Sequence, residues 1–471
     1  MILPAPLGQF AGNSAKRFVT VAVVALVLFL AAYLGTSPSL NYLVGLGGIA
    51  VAMVFLHKPE WWLAMLLVSA LSIPFSIGTG TQTTLHAAVI LIPLLAVMWL
   101  IDRISRQDLR FAPSQMNQPL LGLVLAACLS FVSGNLMWDY FATQTNLPAQ
   151  LGGLAIFVLS ALAFWLVANV IRSLQWLRIL TALFLTIGTV YVAARMAPVA
   201  GALANVIVTA GATGSVFWIW LVALAGGLGL FDDTLRLSTR VALVGGALLA
   251  LAIGIVQSFS WASGWLPSSI VLAALAWFRF PRLRWIWFPV VLALFLVNFE
   301  RVWNTVLSTG DNIYSWETRL AAWQIVIETV KANPFLGLGP ANYYNYVQLY
   351  PIMGFYVRFN SHNNYVDLIA QVGLVGTFFF VWFAFAAWRE AWALRARVQD
   401  GFARAYVYAC MAGLAGTLAS GMLGDWFLPF VYNIGIAGFR ASMLAWFFLG
   451  GLVVIRQSVN RQSDDQSAAA H

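Results

Sequence analysis

Long apolar stretches alternate with short polar loops along most of the chain, and this pattern predicts membrane-spanning helices. A helix that crosses a bilayer needs roughly 20 mostly apolar residues. Fourteen stretches are candidates: 17–35, 40–56, 61–77, 85–101, 119–136, 151–171, 176–194, 214–231, 241–257, 266–278, 285–299, 366–388, 404–423 and 436–455. Three of them are short (40–56, 266–278 and 285–299), so twelve true spans is the alternative. We therefore expect an all-α, polytopic transmembrane bundle of 12–14 spans.

The polar segment from residue 300 to residue 365 is the one long interruption of this pattern. Backbone polar groups inside a bilayer must be paired internally, so irregular functional backbone is found at the surface or in a cavity. We therefore expect the chemistry in this segment. The chain divides into N-terminal transmembrane helices (1–299), the large loop (300–365), C-terminal transmembrane helices (366–456) and a polar tail (457–471) whose composition predicts disorder.

The large loop has a helical pattern of its own. Ser315 is placed to cap a helix from Trp316 to about Ala332, with apolar residues recurring at steps of three or four. Asn333-Pro334 predicts its end, because the residue before proline avoids helical geometry. The tight turn 335–340 follows, and the aromatic-rich stretch 343–356 suits the outer membrane surface, with its tyrosines at the headgroup level.

Composition supports a membrane protein. Hydrophobic residues make up 61% of the 471 residues and charged residues only 9%, and the mean hydropathy is +0.85; soluble domains carry about 25% charged residues. Cys128 and Cys410 both fall in predicted spans, so we expect neither a disulfide nor a zinc site. The glycines at 225–229 also lie in a span and are not a nucleotide-binding loop. No cofactor is expected.

The distribution of Lys and Arg predicts the orientation, because cytoplasmic loops of membrane proteins are enriched in these cations. With the N-terminus inside, 19 cations fall on the cytoplasmic side and 6 on the other, which sums to the 25 in the chain. The six are Arg195, Arg301, Arg319, Lys331, Arg358 and Arg440. Both termini are therefore expected to be cytoplasmic and the large loop periplasmic. The formal net charge of +9 reflects this bias, so it does not indicate a nucleic-acid partner.

His362 and several arginines on the same side are the candidates for chemistry. A histidine titrates near neutral pH, and a guanidinium binds phosphate through two hydrogen bonds. Arg319 lies on the predicted loop helix, Arg195 ends a span, and Arg440 lies within an apolar stretch. The alternatives are structural: His362 as an interfacial residue satisfied by hydrogen bonds, and Arg440 as the partner of Asp425.

Three motifs resemble those of the O-antigen ligase and polymerase superfamily. They are Arg319-Leu320-Ala321-Ala322-Trp323, Pro334-Phe335-Leu336-Gly337-Leu338-Gly339, and His362-Asn363-Asn364-Tyr365. In that family an Arg-x-x-x-Trp helix, a Pro-x-x-Gly-x-Gly turn and a His-Asn motif occur in this order in one periplasmic loop. Arg195, followed by Gly201 and Asn205, loosely matches an earlier outer-loop pattern of the family.

The chain departs from the family pattern at two places. Ser260-Trp261-Ala262-Ser263-Gly264 lies where the family often has Ser-Arg-Gly, so one expected phosphate ligand is missing or replaced. Gln371 lies where a glutamate is common. Both departures affect the transfer of residue roles and not the resemblance itself.

The resemblance implies a metal-independent, inverting glycosyltransferase in the bacterial inner membrane. The donor would be a glycan on undecaprenyl pyrophosphate and the acceptor the lipid A-core. His362 would act as general base, with Asn363, Trp323 and Asp425 supporting the site. The guanidinium groups expected to hold the pyrophosphate are those of Arg195, Arg319, Arg358 and Arg440, and Arg319 is also expected to take part in catalysis.

Three other functions stay open. An O-antigen polymerase shares the donor but uses a second lipid-linked glycan as acceptor, and a protein O-oligosaccharyltransferase uses serine or threonine. A non-enzymatic transporter of lipid-linked glycan would more often carry charges and broken helices at mid-membrane. The clustering of polar groups at one face favours an enzyme. Membrane lipids are expected partners in every case.

Overall fold

The computed structural model describes residues 59–78, 84–108, 110–196, 204, 207–209, 211–297, 299–302, 312–399 and 401–469. The expected spans near 17–35 and 40–56 lie outside these residues, as do Gly201 and Asn205. Within them, each of the remaining expected spans coincides with a helix. The prediction of an all-α, polytopic membrane protein is confirmed.

The elements follow one another as an alternating series of helices with one small hairpin. They are α1 (Pro59–Ser72), β1 (Ser76–Gly78), β2 (Thr84–His86), α2 (Ala87–Ser105), α3 (Asn117–Ser133), α4 (Leu147–Val170), α5 (Leu174–Met196), α6 (Ser215–Phe231), α7 (Leu237–Gln257), α8 (Ala262–Arg279), α9 (Arg284–Val297), α10 (Phe299–Val302), α11 (Asn312–Val330), α12 (Tyr343–Tyr346), the 3₁₀ turn Val347–Leu349, α13 (Asn364–Leu394), α14 (Gly401–Leu423) and α15 (Gly435–Ala469). Strands β1 and β2 pair antiparallel, with Ser76 opposite His86.

Successive long helices run in opposite directions, so the bundle has two ends. At one end His86, before α2, bonds the carbonyl of Ile436 at the start of α15 at 2.9 Å. At the other end Gln457 of α15 donates to the carbonyl of Ala168 near the end of α4. The first end also carries α11, α12 and the start of α13, and we call it the loop end.

The two ends differ in charge as the sequence predicts. The described cations expected on the cytoplasmic side lie at or near the opposite end: Arg103, Arg106, Arg110, Arg172, Arg178, Arg236, Arg240, Arg279, Arg282, Arg284, Arg389, Arg395, Arg397, Arg404, Arg456 and Arg461. Arg195, Arg319 and Arg358 belong to the loop end. The fold therefore keeps the charge asymmetry that the sequence shows.

The core lies around α6 and α15, whose apolar side chains are buried on all sides. The outer helices α2 and α7 instead expose much of their apolar surface, which is the arrangement expected when lipid is the solvent. Among the described residues, seven helices are long and apolar enough to cross a membrane by length and composition, and α3 and α6 are shorter apolar helices.

The polar tail differs from the prediction of disorder. Helix α15 continues to Ala469, so residues 457–469 are helical. Contacts with neighbouring elements explain this. Arg397 donates to the side chain of Asn460 at 3.0 Å, and Arg461 donates to the carbonyl of Arg172 at 2.9 Å. Such tertiary contacts stabilise a helix even where its amino-acid composition alone does not favour one.

The large loop also differs from prediction in two details. Helix α11 is described from Asn312, so Ser315 lies within the helix and not at its N-cap, whereas the expected end before Asn333-Pro334 is confirmed. Tyr343 and Tyr346 are buried and do not lie at a membrane surface. They pack against Val326, Val330 and Phe430, a burial that sequence spacing does not reveal.

Candidate functional site

A break in helix α13 fixes the large loop to the bundle. Gly373 has φ +63° and interrupts the helix, which leaves backbone groups without their usual partners. The turn 334–339 fills the gap through four backbone hydrogen bonds of 2.8–3.2 Å: Leu374 N to Pro334 O, Val375 N to Phe335 O, Leu338 N to Ala370 O, and Gly339 N to Gln371 O. A side chain at Gly373 would collide with the carbonyl oxygen of Phe335. The Pro-x-x-Gly-x-Gly motif is therefore an anchor for the segment that carries His362.

His362 lies in a tight bend just before α13. Its φ of +49° places it in the left-handed region, where non-glycine residues are uncommon and associated with functional sites. Asn363 caps α13, since its side-chain oxygen accepts from the backbone N–H of Tyr365 at 2.9 Å. Trp323 of α11 donates from Nε1 to the carbonyl of Ser361 at 2.7 Å. Asn363 and Trp323, expected as supporting residues, thus hold the bend on either side of His362.

His362, Arg319 and Arg358 line one open cavity of about 340 Å³ at the loop end. Arg358 donates from Nε to the side chain of Gln348 at 3.0 Å. The Nε of Arg319 is buried and has no hydrogen-bond partner among the residues that the structure describes, which is costly for a charged donor. Two of the arginines predicted from sequence therefore meet the predicted histidine, with part of their donor capacity unused.

The cavity lowers the basicity of His362. Burial, helped by the positive charge of Arg319, lowers the pKa of His362 to about 4. Burial likewise lowers the pKa of Arg319, although a guanidinium remains charged at any working pH. His362 is consequently neutral at pH 7, with a lone pair on one ring nitrogen.

Asn433, in the loop between α14 and α15, joins His362 to a buried carboxylate. Its side-chain amide lies 3.2 Å from Nδ1 of His362 and 2.5 Å from Oδ1 of Asp425. The second oxygen of Asp425 accepts from the backbone N–H of Phe430 at 2.7 Å. Asp425 is fully buried, and burial raises its pKa to about 6. Asp425 therefore reaches His362 through Asn433.

A second buried carboxylate lies behind the bend. Asp367, on the first turns of α13, accepts from the hydroxyls of Ser361 at 2.7 Å and Tyr343. Its other oxygen is buried without a partner among the described residues. Asp367 and Asp425 interact electrostatically. Two acidic groups therefore lie next to the bend that carries His362.

Sequence reasoning missed Asp367 and Asn433. An acidic residue within an apolar span is a default functional hypothesis, so Asp367 carried a signal that could have been used. Asn433 lies in an irregular loop about 70 residues after His362, and no spacing rule connects the two. Only the packing of α14 and α15 against α13 brings this amide to the site.

Arg195 lines a different, smaller cavity of about 50 Å³ at the loop end. Its Nε and Nη2 donate to the side-chain oxygen of Gln257 at 3.0 and 2.7 Å, a neutral partner that leaves the charge in place. Trp261 lines the same cavity and packs edge-on against Trp426, the neighbour of Asp425, at 5.4 Å. Trp261 belongs to the segment 260–264, where the resembled family often has Ser-Arg-Gly.

Arg440 does not line either cavity. Its guanidinium donates to four carbonyls at and beyond the end of α1, those of Ser69, Ala70, Ile73 and Phe75, at 2.8–3.3 Å. The expected pair with Asp425 is therefore wrong, because Asp425 bonds the following loop instead. A cation at a helix C-terminus interacts favourably with the terminal carbonyls. The contacts of Arg440 are thus those of a structural cap, and its expected role in pyrophosphate binding gains nothing from them.

Comparison with known families covers the same segment as the site. Residues 246–381 match the family model described as O-antigen ligase, a stretch that includes Arg319, Arg358 and His362. No match was found among curated proteins. The family match agrees with the resemblance drawn from the three motifs, and the two together support the O-antigen ligase superfamily for this membrane protein.

Proposed function

We propose that the protein transfers an O-antigen glycan from undecaprenyl pyrophosphate to the lipid A-core, with inversion at the anomeric carbon. The observation that carries the proposal is the cavity in which His362 meets Arg319 and Arg358. It combines a neutral base with cations that have unused donors, and it lies at the end of the bundle where a lipid-linked donor would place its pyrophosphate.

In the proposed reaction, the acceptor hydroxyl attacks the anomeric carbon while the bond to the pyrophosphate oxygen breaks. Charge develops on the departing lipid pyrophosphate, and preorganised cations in a site poor in water stabilise it. The buried, unpaired Nε of Arg319 is the donor best prepared for this role. Arg358, which lines the same cavity, assists. Arg195 lines the smaller cavity together with Trp261, and we assign it to the part of the donor that extends into that cavity.

His362 is proposed to take the proton of the acceptor hydroxyl. In one amide orientation, Asn433 donates to Nδ1, and the neutral ring then holds its proton on Nε2. A base directed at the cavity through Nε2 needs the other tautomer, which forms when the Asn433 oxygen accepts a hydrogen bond from Nδ1. That orientation turns the same oxygen toward Asp425, so it requires a protonated carboxyl there. Because burial raises the pKa of Asp425 to about 6, part of this carboxyl is protonated near neutral pH.

The proposed site lies on the periplasmic face of a bacterial inner membrane, with both chain termini in the cytoplasm. The arginine-rich opposite end supports this orientation, since cations are enriched on the cytoplasmic side. The donor would then reach the site after it has crossed the membrane, and no nucleotide is needed.

The test is transfer by the purified protein in detergent or nanodiscs. A lipid-linked glycan donor is incubated separately with lipid A-core, with a second lipid-linked glycan and with a pilin-like protein, and products are resolved by mass spectrometry. We expect glycosylated lipid A-core, and its linkage by NMR should be inverted relative to the donor. Product only with the second glycan or only with the protein would assign polymerase or oligosaccharyltransferase activity instead.

His362→Ala connects this activity to the cavity. Loss of a general base typically costs about 10²–10⁴-fold in rate, so transfer by this variant should fall to the detection limit. Lys331→Gln is the matched control, because Lys331 is an exposed cation of the same loop that pairs with Glu328 and does not line the cavity. Full activity of His362→Ala would contradict the proposed base.

A further inference from the structure

A second polar cavity, of about 230 Å³, lies at the end of the bundle opposite His362. The ends of α2 and α4 form it together with the start of α1, and Trp99, Asp102, Arg103, Arg106, Asn169 and Arg172 supply its polar lining. We call it the basal cavity. It plays no part in the proposed transfer reaction, and its chemistry stands independently of that proposal.

The lining of the basal cavity is rich in donors and poor in free acceptors. Within the described part of the chain, the Nε1 of Trp99 is buried without a hydrogen-bond partner. The side chain of Arg172 is exposed and has no hydrogen bond or ion pair with the residues that the structure describes. Arg106 uses only Nε, which donates to Asp102 at 2.8 Å, so the remainder of its guanidinium is free to bind a ligand.

One carboxylate oxygen of Asp102 and the side-chain oxygen of Asn169 are already engaged. Asp102 accepts from Arg106, and Asn169 accepts from the backbone N–H of Ala112 at 2.8 Å. Arg103 pairs with Asp108 at 2.8 Å and lies over the ring of Trp99. Arg106 and Arg172 therefore bring guanidinium N–H groups that have no acceptor among the described residues to the same cavity as the indole N–H of Trp99. An anion with several oxygens is the ligand that satisfies these donors.

The surface beside the cavity shows where that anion comes from. Helix α2 exposes a line of large apolar side chains that leads along its length to Arg103 and Arg106: Leu94, Val97, Leu100, Ile101 and Ile104, each 44–56% exposed. A soluble anion would make no contact with these apolar side chains. A phospholipid places its phosphate among the cations and its acyl chains along the helix, and basic pockets between spanning helices are known to bind such headgroups.

We propose that the basal cavity binds the phosphate headgroup of an anionic glycerophospholipid, whose acyl chains lie on the exposed face of α2. The bound phosphate would connect Trp99 and Arg106 of α2 with Arg172, which follows α4. It would thereby tie together two helices of the bundle at the end away from the transfer site.

The test measures lipid retention by native mass spectrometry of the full chain in detergent, titrated with phosphatidylglycerol, with phosphatidylcholine and with inorganic phosphate. We expect one phosphatidylglycerol to be retained in preference to phosphatidylcholine. Arg106→Gln combined with Arg172→Gln should weaken this binding roughly tenfold or more, since each lost charge-assisted hydrogen bond contributes substantially. Arg282→Gln is the matched control, because Arg282 is an exposed arginine at the same end and does not line the cavity. It should leave binding unchanged.

Three results would overturn the proposal: equal retention of the two lipids, unchanged retention in the double variant, or displacement of phosphatidylglycerol by millimolar phosphate. The last would assign a free-phosphate site. Size-exclusion chromatography reports whether the double variant is folded. If it is not, Trp99→Phe keeps the ring and removes only the unpaired indole donor, and this variant should still weaken phosphatidylglycerol binding measurably. Unchanged binding there would also count against the site.

Discussion

The pH dependence of transfer tests the environment of His362 directly. An ordinary histidine, with a pKa near 6.5, would be about nine-tenths protonated at pH 5.5 and unable to act as a base. Burial and the neighbouring Arg319 lower the pKa of His362 to about 4, so only about one thirtieth of it is protonated at that pH. Protonation of His362 should therefore cost almost none of the rate between pH 7.5 and pH 5.5, whereas an ordinary histidine would lose about tenfold. Deprotonation of Asp425, which the active tautomer needs in its protonated form, should instead lower the rate as the pH rises above about 6.

The assay is the initial rate of transfer from pH 4 to pH 8, measured at donor concentrations below KM for kcat/KM and at saturating donor for kcat. The dependence of kcat/KM on pH reports the free enzyme, so its acid limb is expected below pH 5. The limb of kcat should lie higher, because the bound pyrophosphate brings negative charge next to His362 and raises the pKa of its ring. An acid limb of kcat/KM near 6.5 would refute the reasoning.

Two other groups act on His362 and provide controls. Arg319→Met removes a positive charge, so the pKa of His362 and the acid limb of the residual activity should both rise. The rise should be incomplete, because burial is the larger cause. Asp425 has a pKa raised to about 6 and reaches His362 only through Asn433 among the described contacts. A fall in rate as the pH rises past about 6 that disappears in Asn433→Ala would therefore belong to Asp425, whereas a fall in rate as the pH drops past about 6 would belong to His362.

Four further predictions follow from individual contacts. Arg319→Lys should lower transfer by about tenfold or more, because lysine keeps the charge but loses the planar fork that binds two phosphate oxygens; wild-type donor affinity and rate would contradict two-point binding. Asp425→Asn should retain more activity than Asp425→Ala, since its amide can donate to Asn433 as a protonated carboxyl would; equal rates of the two variants would remove the proposed link to His362. Gly373→Ala should lower the Tm measured in detergent, because its backbone (φ +63°, ψ −167°) is open essentially to glycine only and costs another residue about 1–3 kcal/mol, and because the new methyl group meets Phe335. Gly245→Ala, with open space around it, is the control and should leave the Tm unchanged or raise it. Transfer should persist in EDTA; a loss of activity that magnesium or manganese restores would show that the site needs a metal.

The sequence by itself determined the fold class and most of the helix positions. A bilayer demands long apolar segments with internally paired backbones, so twelve expected spans could be read directly and each coincides with a helix. It also determined the part of the chain that carries the site, because the motifs around Arg319, Pro334 and His362 are local in sequence. The helix end before Asn333-Pro334 followed from the steric demands of proline.

The tertiary structure decided which polar groups meet. Packing of α11 against α13 brings Arg319 and Arg358 to His362, but it leaves Arg195 in a separate cavity and places Arg440 at the end of α1. In the sequence, all four are arginines that are predicted to lie on the same side of the membrane. Their roles differ because each guanidinium donates hydrogen bonds to the acceptors that the fold places around it. Those acceptors are backbone carbonyls and side chains from distant parts of the chain.

The same reason explains the residues that were missed and the segments that were misjudged. Asn433 and Asp425 lie near His362 only because α14 and α15 pack beside α13. Tyr343 is buried because its hydroxyl donates to Asp367 and its ring stacks on Phe430. Periodicity and composition report whether a segment prefers water or lipid. They contain no information about which distant segment supplies its hydrogen-bond partners, and in this protein those partners distinguish the candidate base and anion ligands from the structural cations.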